Sequence, residues 1–285
     1  MSQKHFPSPP ITAPMPILIE EALRNNWLEI WYQPKIDLKR KCLAGAEALV
    51  RINHPQEGLL GWETILSAID EADQAHLMEH VLLTALSNWS IFADAGFNLH
   101  LAVNVPAVAL YSLPIAELVA QNRPRDESWP GLILEVTEDQ IVRDIERAKD
   151  CARAFKAYGV GITIDDFGAG YSSFSSLRDL PFAEVKLDGS FVQDCATDAD
   201  NAAICQTTID LAHRFGSIAV GESIQSMTDL QALMVMGCDF GQGALVAPPM
   251  PKERFLELLR QRNNKPREQA QPNISVQPAA AGRVA

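Results

Sequence analysis

The sequence predicts an α/β barrel, and three observations predict it. Apolar, strand-like runs alternate with helical patterns along the chain. Several runs are apolar throughout, as in strands whose two faces are both covered. Polar residues recur where the runs end, all at the same end. An open doubly wound sheet satisfies the same alternation and is the alternative architecture.

The strand-like runs, in order, are LEIWYQPKI, LAGAEALVRI, LHLAVNV, GLILEVT, GVGITID, EVKLD, IAVGES and FGQGALV. Helical periodicity lies between them. In IVRDIERAKDCARAFKAYG, residues Ile141, Val142, Ile145, Ala148, Ala152 and Phe155 fall on one stripe, and Gly159 follows as a C-terminal cap. The segments ending at Gly216 and Gly237 close in the same way. Residues 1–16 carry five prolines and little periodicity, so a flexible lead is expected there. The tail 263–285 is polar, rich in Pro and Ala, and aperiodic, which predicts disorder. Residues 17–262 are expected to form one domain, since no linker or repeat interrupts them.

Composition narrows the function. A net charge of −12 over 285 residues argues against a DNA or RNA polymer, or an anionic membrane face, as partner. No apolar stretch reaches the ~18 residues of a membrane span, and the N-terminus lacks a secretory apolar region. Five cysteines without a CxxC pair make neither a disulfide framework nor a zinc site, which fits a reducing, cytoplasmic setting.

Seven of the runs deliver a polar group to the same end: Glu47, Asn104, Glu135, Asp165 with Asp166, Lys186, Glu222 and Gln242. In a barrel these ends share one rim, where barrel enzymes place their sites. Five carboxylates would crowd that mouth. At ~4 Å two like charges repel by about 4 kcal/mol at an effective dielectric of 20. Divalent cations resolve the conflict, and oxygen-only donors suit Mg²⁺ or Mn²⁺ rather than Zn²⁺. Adjacent aspartates can serve two ions, a clamp suited to in-line attack on a phosphodiester. The glycines of DFGAGYSS match no complete phosphate-loop motif, so that segment reads as a mobile loop beside the aspartates. The six histidines lie off these strand ends, and His76 with His80 reads as a helix-surface pair.

At these residues the sequence resembles the EAL-domain family of cyclic di-GMP phosphodiesterases. EAL itself stands at Glu47, Ala48 and Leu49. YQP (32–34), NVP at Asn104, LEVTE (134–138), DDFGAGYSS (165–173), KLDGSFV (186–192) and GCDFGQG (237–243) follow in family order, and the likeness runs from residue 17 to 261. The resemblance implies a TIM-like (β/α)8 barrel whose first strand is antiparallel to the rest. It implies two Mg²⁺ or Mn²⁺ ions on Glu47, Asn104, Glu135, Asp165 and Asp166, with Ca²⁺ inhibitory. It further implies Lys186 and Glu222 as catalytic lysine and general base, and Glu138 as support of the mobile loop. Gln33, Leu49, Arg51 and Gln242 are implied to hold cyclic di-GMP. The product implied is linear 5′-pGpG. Residues 167–174 match a loop that couples the site to a dimer interface, so a homodimer is expected. No sensor, receiver or cyclase-like segment is read beside the domain, so oligomerisation, expression or a regulatory protein partner is expected to be the input.

Some positions depart from the family pattern. The motif usually written AEGVE reads Gly221, Glu222, Ser223, Ile224, Gln225. A neutral amide at 225 cannot supply a carboxylate's charge to a metal or to Lys186. That departure motivates a second expectation, a weakened enzyme acting as a cyclic di-GMP receptor or protein-interaction module. Ala183 and Gly189 replace a frequent Asp and Arg around the lysine.

Overall fold

A computed structural model describes residues 19–96, 98–168 and 180–263. The expected lead lies outside the described residues, as does the expected tail beyond Asn263. The last helix, Lys252–Asn263, runs one residue past the expected domain boundary.

Eight strands close a barrel: β1 (Leu28–Asp37), β2 (Cys42–His54), β4 (His100–Asn104), β5 (Leu132–Thr137), β6 (Val160–Phe167), β7 (Glu184–Leu187), β8 (Ile218–Gly221) and β9 (Phe240–Gly241). Two short strands extend the sheet, β3 (Gly58–Leu60) on β2 and β10 (Met250–Pro251) on β1. From β2 through β4 to β9 each barrel neighbour is parallel; β1 is antiparallel to both β2 and β9. This is the barrel with an antiparallel first strand that the family resemblance implies.

The strand period of two sorts the side chains. On β1 and β2, Ile30, Tyr32, Ala46, Ala48, Val50 and Ile52 are buried in the main core between barrel and helices. Tyr32 stacks at 5.5 Å on Phe255 and meets Phe92 edge-on at 4.9 Å. Its hydroxyl accepts a 2.6 Å hydrogen bond from Asn88 Nδ2, so the buried phenol keeps a polar partner. These contacts clamp the helices Glu71–Asp94 and Lys252–Asn263 onto β1. Alternate residues of the same strands face the barrel interior, where the polar groups lie.

Three boundaries differ from expectation. The single stripe over 141–155 breaks at Asp144, whose carboxylate caps the helix Ile145–Lys156 by accepting from Arg147 N. Val142 then falls on the preceding helix, Glu138–Arg143, and faces solvent rather than the core. FGQGALV keeps strand pairing only over Phe240–Gly241; two residues on, Gly243 sits at φ 155°, where a Cβ would lie 2.2 Å from Ile224 N. β2 runs two residues past its expected end at Ile52, to His54, whose Nδ1 accepts from Gln56 N and Glu57 N of the following turn. His76 and His80 are exposed on one long helix, as expected of a surface pair. All five cysteines are free thiols. No described helix is long and apolar enough to cross a membrane.

Candidate active site at the barrel mouth

The C-terminal strand ends converge on Lys186. Its side chain extends along the barrel interior from β7 and is 2% exposed. The ammonium lies 2.6 Å from Glu222 Oε1, 2.8 Å from Glu135 Oε2, 3.1 Å from Asp165 Oδ2 and 3.8 Å from Glu47 Oε2. Burial disfavours the charged amine, but these four carboxylates outweigh it and hold its pKa well above the ordinary value. Asn104 Nδ2 donates to Glu47 Oε1 at 2.5 Å, and Gln242 Nε2 donates to Glu47 Oε2. Gln242 Nε2 also reaches Gln33 Oε1, while Gln33 Nε2 donates to Ala247 O at 3.2 Å.

Neighbouring residues on a strand point to opposite faces, yet both Asp165 and Asp166 approach the mouth. The pairing of β6 with β7 slips between Ile164 and Phe167, and Asp166 takes φ 53°. Such an irregularity re-aims a side chain at the cost of local strain. One carboxylate oxygen from each of Asp165, Asp166 and Glu222 then lies within 4.8 Å of the others. Glu138 Oε2 accepts from Gly168 N at 3.0 Å, fixing the start of the segment that follows β6. Residues 169–179 lie outside the described residues, and with them 169–173 of the expected mobile loop 166–173.

The site carries more acid than base. Among the described residues, Glu47, Glu135, Asp165, Asp166 and Glu222 face a single ammonium, that of Lys186, within the mouth. Burial, reinforced by Glu47 and Asp165, pushes Glu135 well above the carboxylate range despite Lys186. Burial raises Glu222 to about 8, with Asp165 and Glu47 adding to it against the pull of Lys186. Asp166 rises to about 6, chiefly through burial and then Asp165. Glu47 alone is held below its usual value: Lys186, Asn104 and Gln242 overcome its burial. Two buried oxygens, Glu135 Oε1 and Gln242 Oε1, have no hydrogen-bond partner among the described residues. Excess negative charge, clustered hard oxygens and orphaned acceptors together fit divalent cations.

Beside the acids a cavity of about 220 Å³ is lined by Gln33, Glu47, Glu222, Ser223, Gln225, Gln242, Gly243 and Ala244. Gln225 is exposed on its wall and is not among the ion-pair partners of Lys186. Ser223 takes φ 50°. A Cβ at position 189 would lie 2.7 Å from Ser223 Cβ and Oγ. The departures at 189 and 223 are therefore sterically linked: the side chain lost at one gives room to the one gained at the other. Leu49 and Arg51 lie farther out on β2, both half-buried.

Sequence reasoning missed a second polar layer beneath the first. Lys35 on β1 pairs with Glu184 on β7 at 2.5 Å, both buried, and Thr163 Oγ1 adds a 3.4 Å contact to Glu184. The signal was available: Lys35 is two residues from Gln33, and Glu184 two from Lys186, so each shares an inward face.

An eight-stranded barrel with a buried acidic mouth around Lys186 places these groups where barrel enzymes carry their sites. The EAL domain family model matches residues 18–249, and the chain belongs to that family. Among curated relatives, the bifunctional diguanylate cyclase/cyclic di-GMP phosphodiesterase MucR of Pseudomonas aeruginosa is 34% identical over 241 residues, 84% of this chain and 35% of its own length. The cyclic di-GMP phosphodiesterase RocR of the same organism is 32% identical over 241 residues, 84% of this chain and 62% of its own. The chain thus spans less than two thirds of the length of these relatives. A solved structure titled as the MucR phosphodiesterase in complex with c-di-GMP superposes with a TM-score of 0.77 at 33% identity, over 83% of this chain and 97% of that one.

Proposed function

We propose that this domain is a metal-dependent phosphodiesterase that hydrolyses cyclic di-GMP to linear 5′-pGpG. The observation that carries the reading is the Lys186 ammonium enclosed by Glu47, Glu135, Asp165 and Glu222 at the mouth of an EAL-family barrel. Membership of a family whose relatives are named for this activity supports the substrate.

Glu47, Asn104, Glu135, Asp165 and Asp166 would hold two Mg²⁺ or Mn²⁺ ions. Bound there, such ions supply Lewis acidity, acidifying water and neutralising phosphate charge. Glu222 takes the proton of the attacking water. Burial raises its pKa in the bare site, and added positive charge favours the carboxylate. Base and cation therefore become competent together. Lys186, 2.6 Å away, keeps that carboxylate turned inward. The water oxygen forms the new P–O bond as the P–O3′ bond breaks, the 3′ oxygen takes up a proton from solvent, and the ring opens. Gln242 and Gln33 hold Glu47 and the cavity wall in place, while Leu49 and Arg51 meet the nucleotide farther out. Glu138 anchors the segment after β6.

Purified protein with Mn²⁺ and cyclic di-GMP is expected to yield pGpG by chromatography. No product from the parent, with Lys186→Ala indistinguishable from it, overturns the reading. Gln225 on the cavity wall favours one alternative, a receptor that binds cyclic di-GMP without turnover. Calorimetric binding in the absence of product would select that alternative.

A further inference from the structure

We propose that Trp31 is the stacking wall for one nucleobase of the substrate, a specificity-determining residue outside the acidic mouth; this rests on the dinucleotide reading above. The inward row of β1 runs Glu29, Trp31, Gln33, Lys35, and that of β2 runs Glu47, Leu49, Arg51, with Glu29 opposite Arg51, Trp31 opposite Leu49 and Gln33 opposite Glu47. Exposure grades along the row. Lys35 and Glu47 are buried, whereas Gln33, Trp31, Leu49, Glu29 and Arg51 are half-exposed. The intervening residues Ile30, Tyr32, Ala48 and Val50 are buried against the helices. Trp31 therefore opens onto the same side as the cavity, two residues and about 7 Å along the strand from Gln33.

A tryptophan in that position is out of place as packing. Trp89 lies within the hydrophobic core, and Trp27, Trp62 and Trp129 pack against it; among the described residues, Trp31 and its cross-strand partner Leu49 do neither. The indole is nonetheless held in place. Its Nε1 donates to Glu29 Oε2 at 2.9 Å, and the Arg51 guanidinium sits 5.9 Å from the ring centroid. The result is a rigid, half-open apolar plane between a guanidinium and the acidic mouth. A guanine base carries an apolar π-face and a hydrogen-bonding edge, and such a plane takes the face.

The test compares Trp31→Ala and Trp31→Phe with the parent in steady-state hydrolysis of cyclic di-GMP with Mn²⁺, with melting curves alongside. Losing one base stack is expected to raise KM about tenfold for Trp31→Ala, with a smaller change in kcat. Trp31→Phe keeps a ring and is expected within about threefold of the parent, as ring chemistry rather than size carries the contact. Equal KM for parent and Trp31→Ala overturns the proposal, as does a Phe variant as impaired as the Ala variant. If the parent binds without cleaving, the same comparison is made on Kd. If the parent neither binds nor cleaves, the functional reading falls and this one with it.

Discussion

Two buried polar layers stack inside one barrel, and they are built on opposite terms. The floor pairs Lys35 with Glu184, one charge against one, at 2.5 Å. Among the described residues, the mouth sets five carboxylates around one ammonium and leaves an oxygen of Glu135 without a donor. A buried pair that is balanced and hydrogen-bonded is complete as it stands. A layer with surplus acid is incomplete, and its raised carboxyl pKa values record the cost. The contrast separates structural charge from charge kept in reserve for a ligand.

The largest effect is expected at the floor. Lys35→Met strands the Glu184 carboxylate, so urea unfolding should show a loss of about 3–5 kcal/mol, whereas Lys35→Met with Glu184→Leu should recover most of it. If the double variant is no better than the single, the floor is not a closed pair. At the mouth, Lys186→Met should lower kcat by about 10²–10³ through loss of the group that orients Glu222, measured as pGpG formed. Its metal-free melting temperature should also fall, because the four carboxylates lose their counter-charge.

The pH response separates the layers further. Asp166 and Glu222 have folded pKa values raised to about 6 and about 8, above those of an unfolded chain. The folded state then binds more protons than the unfolded one between these limits. Metal-free stability should fall as pH rises from about 5 through 8, by about 5 °C in melting temperature. Mn²⁺ should flatten the curve and, at pH 7, release about one to two protons into weak buffer. A flat metal-free curve would show the surplus acid to be unburdened. The smallest effect belongs to the exposed Gln225. Gln225→Glu adds one solvent-screened charge and should lower the half-saturating Mg²⁺ concentration by about two- to fivefold, with little change in kcat.

Much of this was legible in the sequence. Each barrel strand was visible as a strand-like run, several of them apolar throughout because both faces are covered, and the polar residues at the run ends meet at one mouth. Periodicity failed where a local hydrogen bond overrode it, as at Asp144, whose carboxylate ends one helix and starts another. Strand length failed at β9, where Gly243 presses against Ile224 and the chain leaves the sheet. The floor and Trp31 were missed for one reason. Attention to strand ends overlooks the inward row that continues above and below them, although Gln33 and Lys186 already mark its phase.

The reversed direction of β1 has a consequence for anything joined upstream. Leu28 pairs with Ile52 near the outer end of β2, so the chain enters the barrel at the rim and reaches Trp31 three residues later. A parallel first strand would have brought it in at the floor. Whatever stands ahead of residue 19 is thereby joined to the opening through the core-packed helix Ile19–Arg24 and the three residues that follow it.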